Sequence, residues 1–215
     1  MKKRISSIFC LLAFAITSMQ AKDYNVKDYG AIGDGKTLDH IAINATIDTC
    51  VAHGGGRVVL PAGTYLCGSI RMKSNVELHL MTGSKILAAP ASMKAYDEAE
   101  EFEGTAYQDG GHTYFKNSLI YAIGANDVSI TGRGMIDGEG LTRRDTENGG
   151  NLHGGNIGTG DKAIAFKQCR NILIRDVTVY RGGHFGIIVT GCELGTIDNV
   201  IVDTNRDGID IDCCK

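Results

Sequence analysis

The sequence predicts an all-β fold, a right-handed parallel β-helix with an N-terminal capping helix. Three observations point there: apolar pairs recur every 22 or 23 residues, the segments between them alternate apolar with polar residues, and one amphipathic helix precedes the repeats. Ile164 and Phe166 return as Ile187 and Val189, then as Ile209 and Ile211. Val177 and Val179 return as Val200 and Val202, and Cys169 returns as Cys192 and Cys214. Alternations such as Ile172-Leu173-Ile174, broken by Gly or Asn/Asp turns, have strand periodicity. One such unit is the length of one coil, whose rungs stack about 4.8 Å apart, and parallel crossovers wind right-handed. A leucine-rich repeat shares the period but requires Leu at fixed sites, where this chain offers Ile, Val and Cys.

The elements follow in order. Residues 1–21 read as a secretory signal: Lys2, Lys3 and Arg4 lead an apolar stretch over residues 8–16, and Ala21 suits cleavage. The expectation is an exported protein, secreted or periplasmic, with structure beginning at Lys22. Residues 38–53 form the helix, with Ile43, Ile47, Cys50 and Val51 as its apolar face and Gly54-Gly55-Gly56 as its stop. Its task is to cap the first rung, which otherwise exposes strand edges and an apolar interior. Residues 57–60, 64–67, 76–80 and 85–88 read as strands. Residues 91–116 carry Asp97, Glu98, Glu100, Glu101 and Glu103 and read as a surface excursion. Ile120 and Ala122 precede Ile164 and Phe166 by 44 residues, which fits two coils or one coil with an insertion. The polar, Gly- and Asn-rich residues 139–160 favour the insertion.

Composition narrows the function. The 215 residues carry 22 Lys+Arg against 25 Asp+Glu; without the signal, 19 cations face the same 25 acids. Nucleic acid, which needs clustered cations, is therefore not an expected partner. Beyond the signal no run is long and apolar enough to span a bilayer, so no membrane partner is expected after signal removal. Six of the seven cysteines lie after the signal, an even number that permits disulfides in an exported chain, with Cys50 and Cys67 able to pair if helix and strand pack together. No CxxC occurs and His is scattered, so neither a metal nor a cofactor is expected.

Acids concentrate in Asn205-Arg206-Asp207-Gly208-Ile209-Asp210-Ile211-Asp212. With Ile209 and Ile211 inward, Asp210 and Asp212 face outward and Asp207 sits at the turn leading in. Stepping back 23 residues from Asp207 gives His184, and a further 23 gives Asp161, so the three are expected to stack along one exterior face. Such a column either reflects the Asp and Gly that every β-helix turn requires or marks a functional groove. His184 is then a group that hydrogen-bonds sugar or tunes Asp207 electrostatically, or an idle exposed histidine. Arg181, Lys167 and Arg206 are the cations nearest by spacing, either substrate contacts or solvated charge. Tyr107, Tyr114 and Phe115 line a sugar platform or, more simply, anchor their loop.

These residues bring a family into view. Asn205-Arg206-Asp207-Gly208-Ile209-Asp210 resembles the Asn-Thr-Asp-Gly-Ile-Asp motif of the polygalacturonases, glycoside hydrolase family 28. Asp28-Tyr29-Gly30-Ala31, Gly33-Asp34-Gly35, the run from Gly54 through Tyr65, and Ile130-Thr131-Gly132 with Ile136-Asp137-Gly138 resemble that family in the same order. The resemblance spans nearly all of residues 23–215; its opening motifs are shared with other pectin-active β-helices, while the Asp207 motif discriminates more sharply. It implies hydrolysis of α-linked galacturonate-containing pectic polysaccharide with inversion, in which one carboxylic acid protonates the leaving oxygen and another carboxylate, about 6.5 to 9.5 Å away, activates water. Asp207 matches a water-activating aspartate of the family, Asp210 a supporting one, and Arg206 stands where the family has Thr.

The family's Asp-Asp pair, with its general acid, belongs one coil after Asp207, and its Gly-His-Gly and Arg-Ile-Lys motifs come later still. The chain is therefore expected to be the N-terminal part of a longer β-helix domain, inactive alone and monomeric when full length. Two rivals remain: a pectate-lyase-type enzyme holding calcium on Asp203, Asp207, Asp210 and Asp212, and a noncatalytic β-helix for glycan binding or adhesion.

Overall fold

Three parallel sheets form the walls of a right-handed solenoid in the computed structural model, which describes residues 22–101, 110–142, 158–204 and 206–215. The expected signal segment and Tyr107 lie outside those residues. The first sheet stacks β1 (Asp23–Asn25), β3 (Gly56–Leu60), β6 (Val76–Leu80), β9 (Asn126–Gly132), β12 (Arg170–Arg175) and β15 (Glu193–Asp198). The second stacks β2 (Asp34–Leu38), β4 (Gly63–Cys67), β7 (Ser84–Ala88), β10 (Met135–Asp137), β13 (Thr178–Tyr180) and β16 (Ile201–Asp203). The third stacks β5 (Ile70–Arg71), β8 (Ile120–Ile123), β11 (Lys162–Lys167), β14 (Phe185–Thr190) and β17 (Asp207–Asp212).

Register follows the sequence repeat because each rung must present an apolar side chain to the one below. Ile120, Ile164, Ile187 and Ile209 form one inward column, and Ala122, Phe166, Val189 and Ile211 another. The pairing of Ile120 with Ile164 identifies the 44-residue step as one coil carrying an insertion. Cys169, Cys192 and Cys214 also stack: the Cys169 amide donates to Cys192 Sγ, and the Cys192 amide to Cys214 Sγ, each at 3.4 Å. At the corner before the first sheet, Asn75, Asp127, Asn171 and Leu194 all take left-handed backbone. Asn and Asp tolerate this conformation, and Asn171 Nδ2 donates to Asp127 Oδ1 at 2.6 Å.

The capping helix α1 (His40–Ala52) buries Ile43, Thr46, Ile47 and Cys50 against the first coils. Asp39 precedes it, but its carboxylate accepts from the amides of Ile32 and Gly33 instead of capping the helix. Val51, expected on the apolar face, points outward because that face is narrower than its sequence suggests. Cys50 and Cys67 are both buried and both free thiols, so the disulfide the sequence permitted is absent. At the opposite end the inward columns lose their cover: Ile187 is fully buried, whereas Ile209 above it is 45% exposed and Ile211 is 63% exposed.

Candidate functional site

β17 begins at Asp207, whose backbone pairs with Phe185 on β14, which pairs in turn with Lys162 on β11. This step is 22 residues, not 23, so the expected column of Asp161, His184 and Asp207 does not form. Asp161, His184 and Arg206 share the position just before these strands. The His184 amide donates to the Asp161 carbonyl at 2.7 Å, and Arg206 NH1 lies 2.8 Å from His184 Nδ1. Nor is the column an open face. Asp161 and His184 are 1% and 2% exposed, and Asp161 is ion-paired with the fully buried Lys162. Like charge is thus neutralised inside the wall rather than displayed on it.

Arg206 links the buried layer to Asp207. A guanidinium donates only, so His184 Nδ1 must accept from it, which fixes the imidazole with a lone pair on that nitrogen. Arg206 Nε lies 3.6 Å from Asp207 Oδ2, while the Asp207 side chain is 54% exposed. The Arg206 carbonyl also accepts from Thr204 Oγ1 at 2.9 Å. Asp207 therefore presents a solvated carboxylate beside a cation that is held from behind.

A wall rises on one side of Asp207. The chain leaves the second sheet after Ala88 and returns at Ile120, packing residues 110–117 against the outer surface of the third sheet. Phe115 is fully buried there with Tyr121, Ala165, Phe185 and Ile188, forming a small apolar cluster outside the solenoid. His112 Nε2 reaches Asp210 Oδ2 at 2.9 Å, and its ring meets Phe185 edge-on with centroids 5.0 Å apart. Gly111 passes so close that a Cβ there would lie 2.5 Å from Phe185 and 2.6 Å from His184. Lys167 Nζ donates to the Thr113 carbonyl and lies over the Phe115 ring, so it anchors this segment rather than facing a substrate groove. Tyr114 is half-buried and Phe115 is the anchor.

Arg181 sits on the neighbouring sheet. It forms a two-pronged ion pair with the buried Asp137, at 2.9 and 2.6 Å, reaches Glu139 and lies over the Tyr180 ring. Hydrogen bonding to Asp137 raises its pKa further. Among the described residues no three His, Cys, Asp or Glu side chains gather closely enough to hold a metal ion, so Asp203, Asp207, Asp210 and Asp212 do not form the calcium set. His112 and Gly111 were not legible as site residues, because they lie in a polar stretch without periodicity.

The family model described as rhamnogalacturonase A/epimerase, pectate lyase-like, matches residues 24–213. The chain belongs to that family. The exo-poly-alpha-D-galacturonosidase of Dickeya chrysanthemi is 33% identical over 134 residues, 59% of this chain and 21% of that protein. The plasmin and fibronectin-binding protein A of Streptococcus pneumoniae is 30% identical over 184 residues, 85% of this chain and 23% of that protein. Among solved structures, a hyperthermoactive exopolygalacturonase from Thermotoga maritima superposes with a TM-score of 0.69 at 27% identity, covering 91% of this chain and 52% of that one. The chain thus spans about a fifth of the length of these curated relatives. For this rhamnogalacturonase A/epimerase-family chain, the motif resemblance to glycoside hydrolase family 28 and the structural likeness agree.

Proposed function

We propose that this chain forms the N-terminal coils of an exported, inverting glycoside hydrolase acting on α-linked galacturonate-containing pectic polysaccharide. The observation that carries the reading is the solvated Asp207 carboxylate at the head of β17, flanked by Arg206. Asp207 activates water, and a general acid on a further coil protonates the leaving oxygen. Arg206 meets a substrate carboxylate, whereas Arg181 is committed to Asp137 and Glu139. His184, buried behind Arg206, holds that guanidinium and does not touch sugar. Asp210 supports the site through His112.

The similarity to a plasmin- and fibronectin-binding protein supports a second reading, a noncatalytic β-helix for adhesion. Reducing-end release from polygalacturonate by the longer enzyme tests both. The hydrolase reading expects Asp207→Asn to lower kcat by about 10² to 10⁴ with KM nearly unchanged, no effect of chelator, and negligible activity from the 215-residue chain alone. Unsaturated, UV-absorbing ends that vanish with chelator are the lyase outcome. No product of either kind leaves adhesion.

A further inference from the structure

The outer face of the first sheet carries a cleft of about 600 Å³, on a different wall from Asp207. That volume lies within the range of sites that take small ligands, about 300 to 1,000 Å³. Its polar side is built by three rungs. Glu77 and His79 stand on β6, Thr131 stands opposite His79 on β9, and Arg175 lies further along on β12. Thr131 Oγ1 donates to Glu77 Oε1, so its lone pair accepts from His79 Nδ1 at 2.8 Å. This chain of bonds fixes the imidazole with its proton on Nδ1 and turns Nε2 toward other partners.

The apolar side is Met81 and Leu173, with Met81 46% exposed, while Leu80 beside them points into the core. Gly132 shapes the floor: at φ +101, its missing Cβ would lie 2.1 Å from the Leu80 carbonyl oxygen, so only glycine lets β9 lie this close to β6. Charge on the lining is mostly spent. Asp198 pairs with Arg175, Asn199 donates to Asp176, and Glu77 is engaged by Thr131 and His79. Arg133, exposed at the rim, makes no hydrogen bond or ion pair among the described residues.

We propose that this cleft is a second saccharide-binding site, separate from Asp207, which takes a short oligosaccharide bearing a carboxylate. The sugar's apolar ring face lies on Met81 and Leu173, hydroxyls bond to His79 Nε2 and Ser129, and the uronate carboxylate pairs with Arg133. A fixed imidazole, adjacent hydroxyls and one uncommitted guanidinium over an apolar floor match that chemistry, because sugars need donors and acceptors together and the carboxylate supplies the charge Arg133 lacks.

Nuclear magnetic resonance titration of the 215-residue chain with trigalacturonate, and with neutral galactotriose, tests it. Saturable shifts are expected at the His79 ring and at the Thr131 and Arg133 amides. Arg133→Ala, at an exposed position that does not affect folding, is expected to weaken binding about tenfold or more, as is replacing trigalacturonate by galactotriose. Thr131→Val, which frees the imidazole, is expected to weaken binding with the backbone spectrum otherwise preserved. Asp207→Asn is expected to leave these shifts unchanged, which separates this site from the proposed catalytic one. Absence of saturable shifts at His79 and Thr131, full affinity in Arg133→Ala, or equal affinity for galactotriose each overturns the proposal.

Discussion

Phe115→Ala is expected to lift residues 110–117 off the solenoid without unfolding it. Phe115 is fully buried, but its neighbours Tyr121, Ala165, Phe185 and Ile188 lie on the outside of the third sheet, and its removal leaves the inward columns untouched. Truncating a buried Phe costs about 3 to 5 kcal/mol where the site cannot collapse. The cation–π contact from Lys167 adds up to about 1 kcal/mol. The remaining ties are the His112–Asp210 bond, the Lys167 bond to the Thr113 carbonyl, and Glu100, whose carboxylate accepts from the Phe115 and Lys116 amides. A loss of about 3 kcal/mol raises the undocked population by about two orders of magnitude. Amide hydrogen exchange reads this directly: protection of the Phe115 and Lys116 amides is expected to fall about a hundredfold, while amides of β11 and β14 keep theirs. Unchanged protection at Phe115 refutes the anchoring argument. Equal loss across β11 and β14 refutes the idea that the wall opens as a separate unit.

Acid is expected to loosen the same excursion at its other end. Burial pushes the Asp97 carboxyl up, but hydrogen bonds from Arg71 and Tyr121 outweigh it and hold the pKa below the usual value. The stabilisation is therefore full above the unfolded pKa of about 3.9 and is lost as pH falls through the lower folded value; Asp97→Asn is expected to flatten a melting-temperature profile below about pH 4. Thiol titration with a disulfide-exchange dye is expected to find Cys213 reactive in the native chain. Cys50, Cys67, Cys169 and Cys192 are expected to react only after unfolding, and a shortfall of two thiols under denaturant would indicate a bridge. Ile187→Ala is expected to cost about 2 to 5 kcal/mol by urea unfolding, whereas Ile209→Ala, one rung above, costs under about 1.5 kcal/mol because Ile209 is half open to water. Replacing both Ile209 and Ile211 by Ser is expected to reduce self-association in sedimentation, since it removes apolar side chains beside an unpaired strand edge.

The solenoid was legible because a stacked rung makes a demand that sequence must answer at a fixed interval. Ile164, Ile187 and Ile209 satisfy the same demand three times, and the wall positions between them are free to be polar. The cap was legible for the same reason, since Ile43, Ile47 and Cys50 repeat at helical spacing. The site was less so. Coil length shifts between 22 and 23 residues, and that single residue moves Asp207 from above His184 to above Phe185. Burial of His184 was hidden because its cover includes Gly111, which comes from a distant part of the chain with no periodicity of its own. The unbridged Cys50 and Cys67 show the limit of counting: parity permits a disulfide, but a bridge depends on spacing and direction in three dimensions.

The insertion between β10 and β11 leaves Ile120 and Ile164 in register despite the extra chain between them. Scaffold and outgrowth are therefore decoupled: a loop can be lengthened, shortened or exchanged at this corner while the rungs keep their places. Grafting the corresponding corner from another member of the family, with the rungs left as they are, is therefore expected to leave the stacked register unchanged.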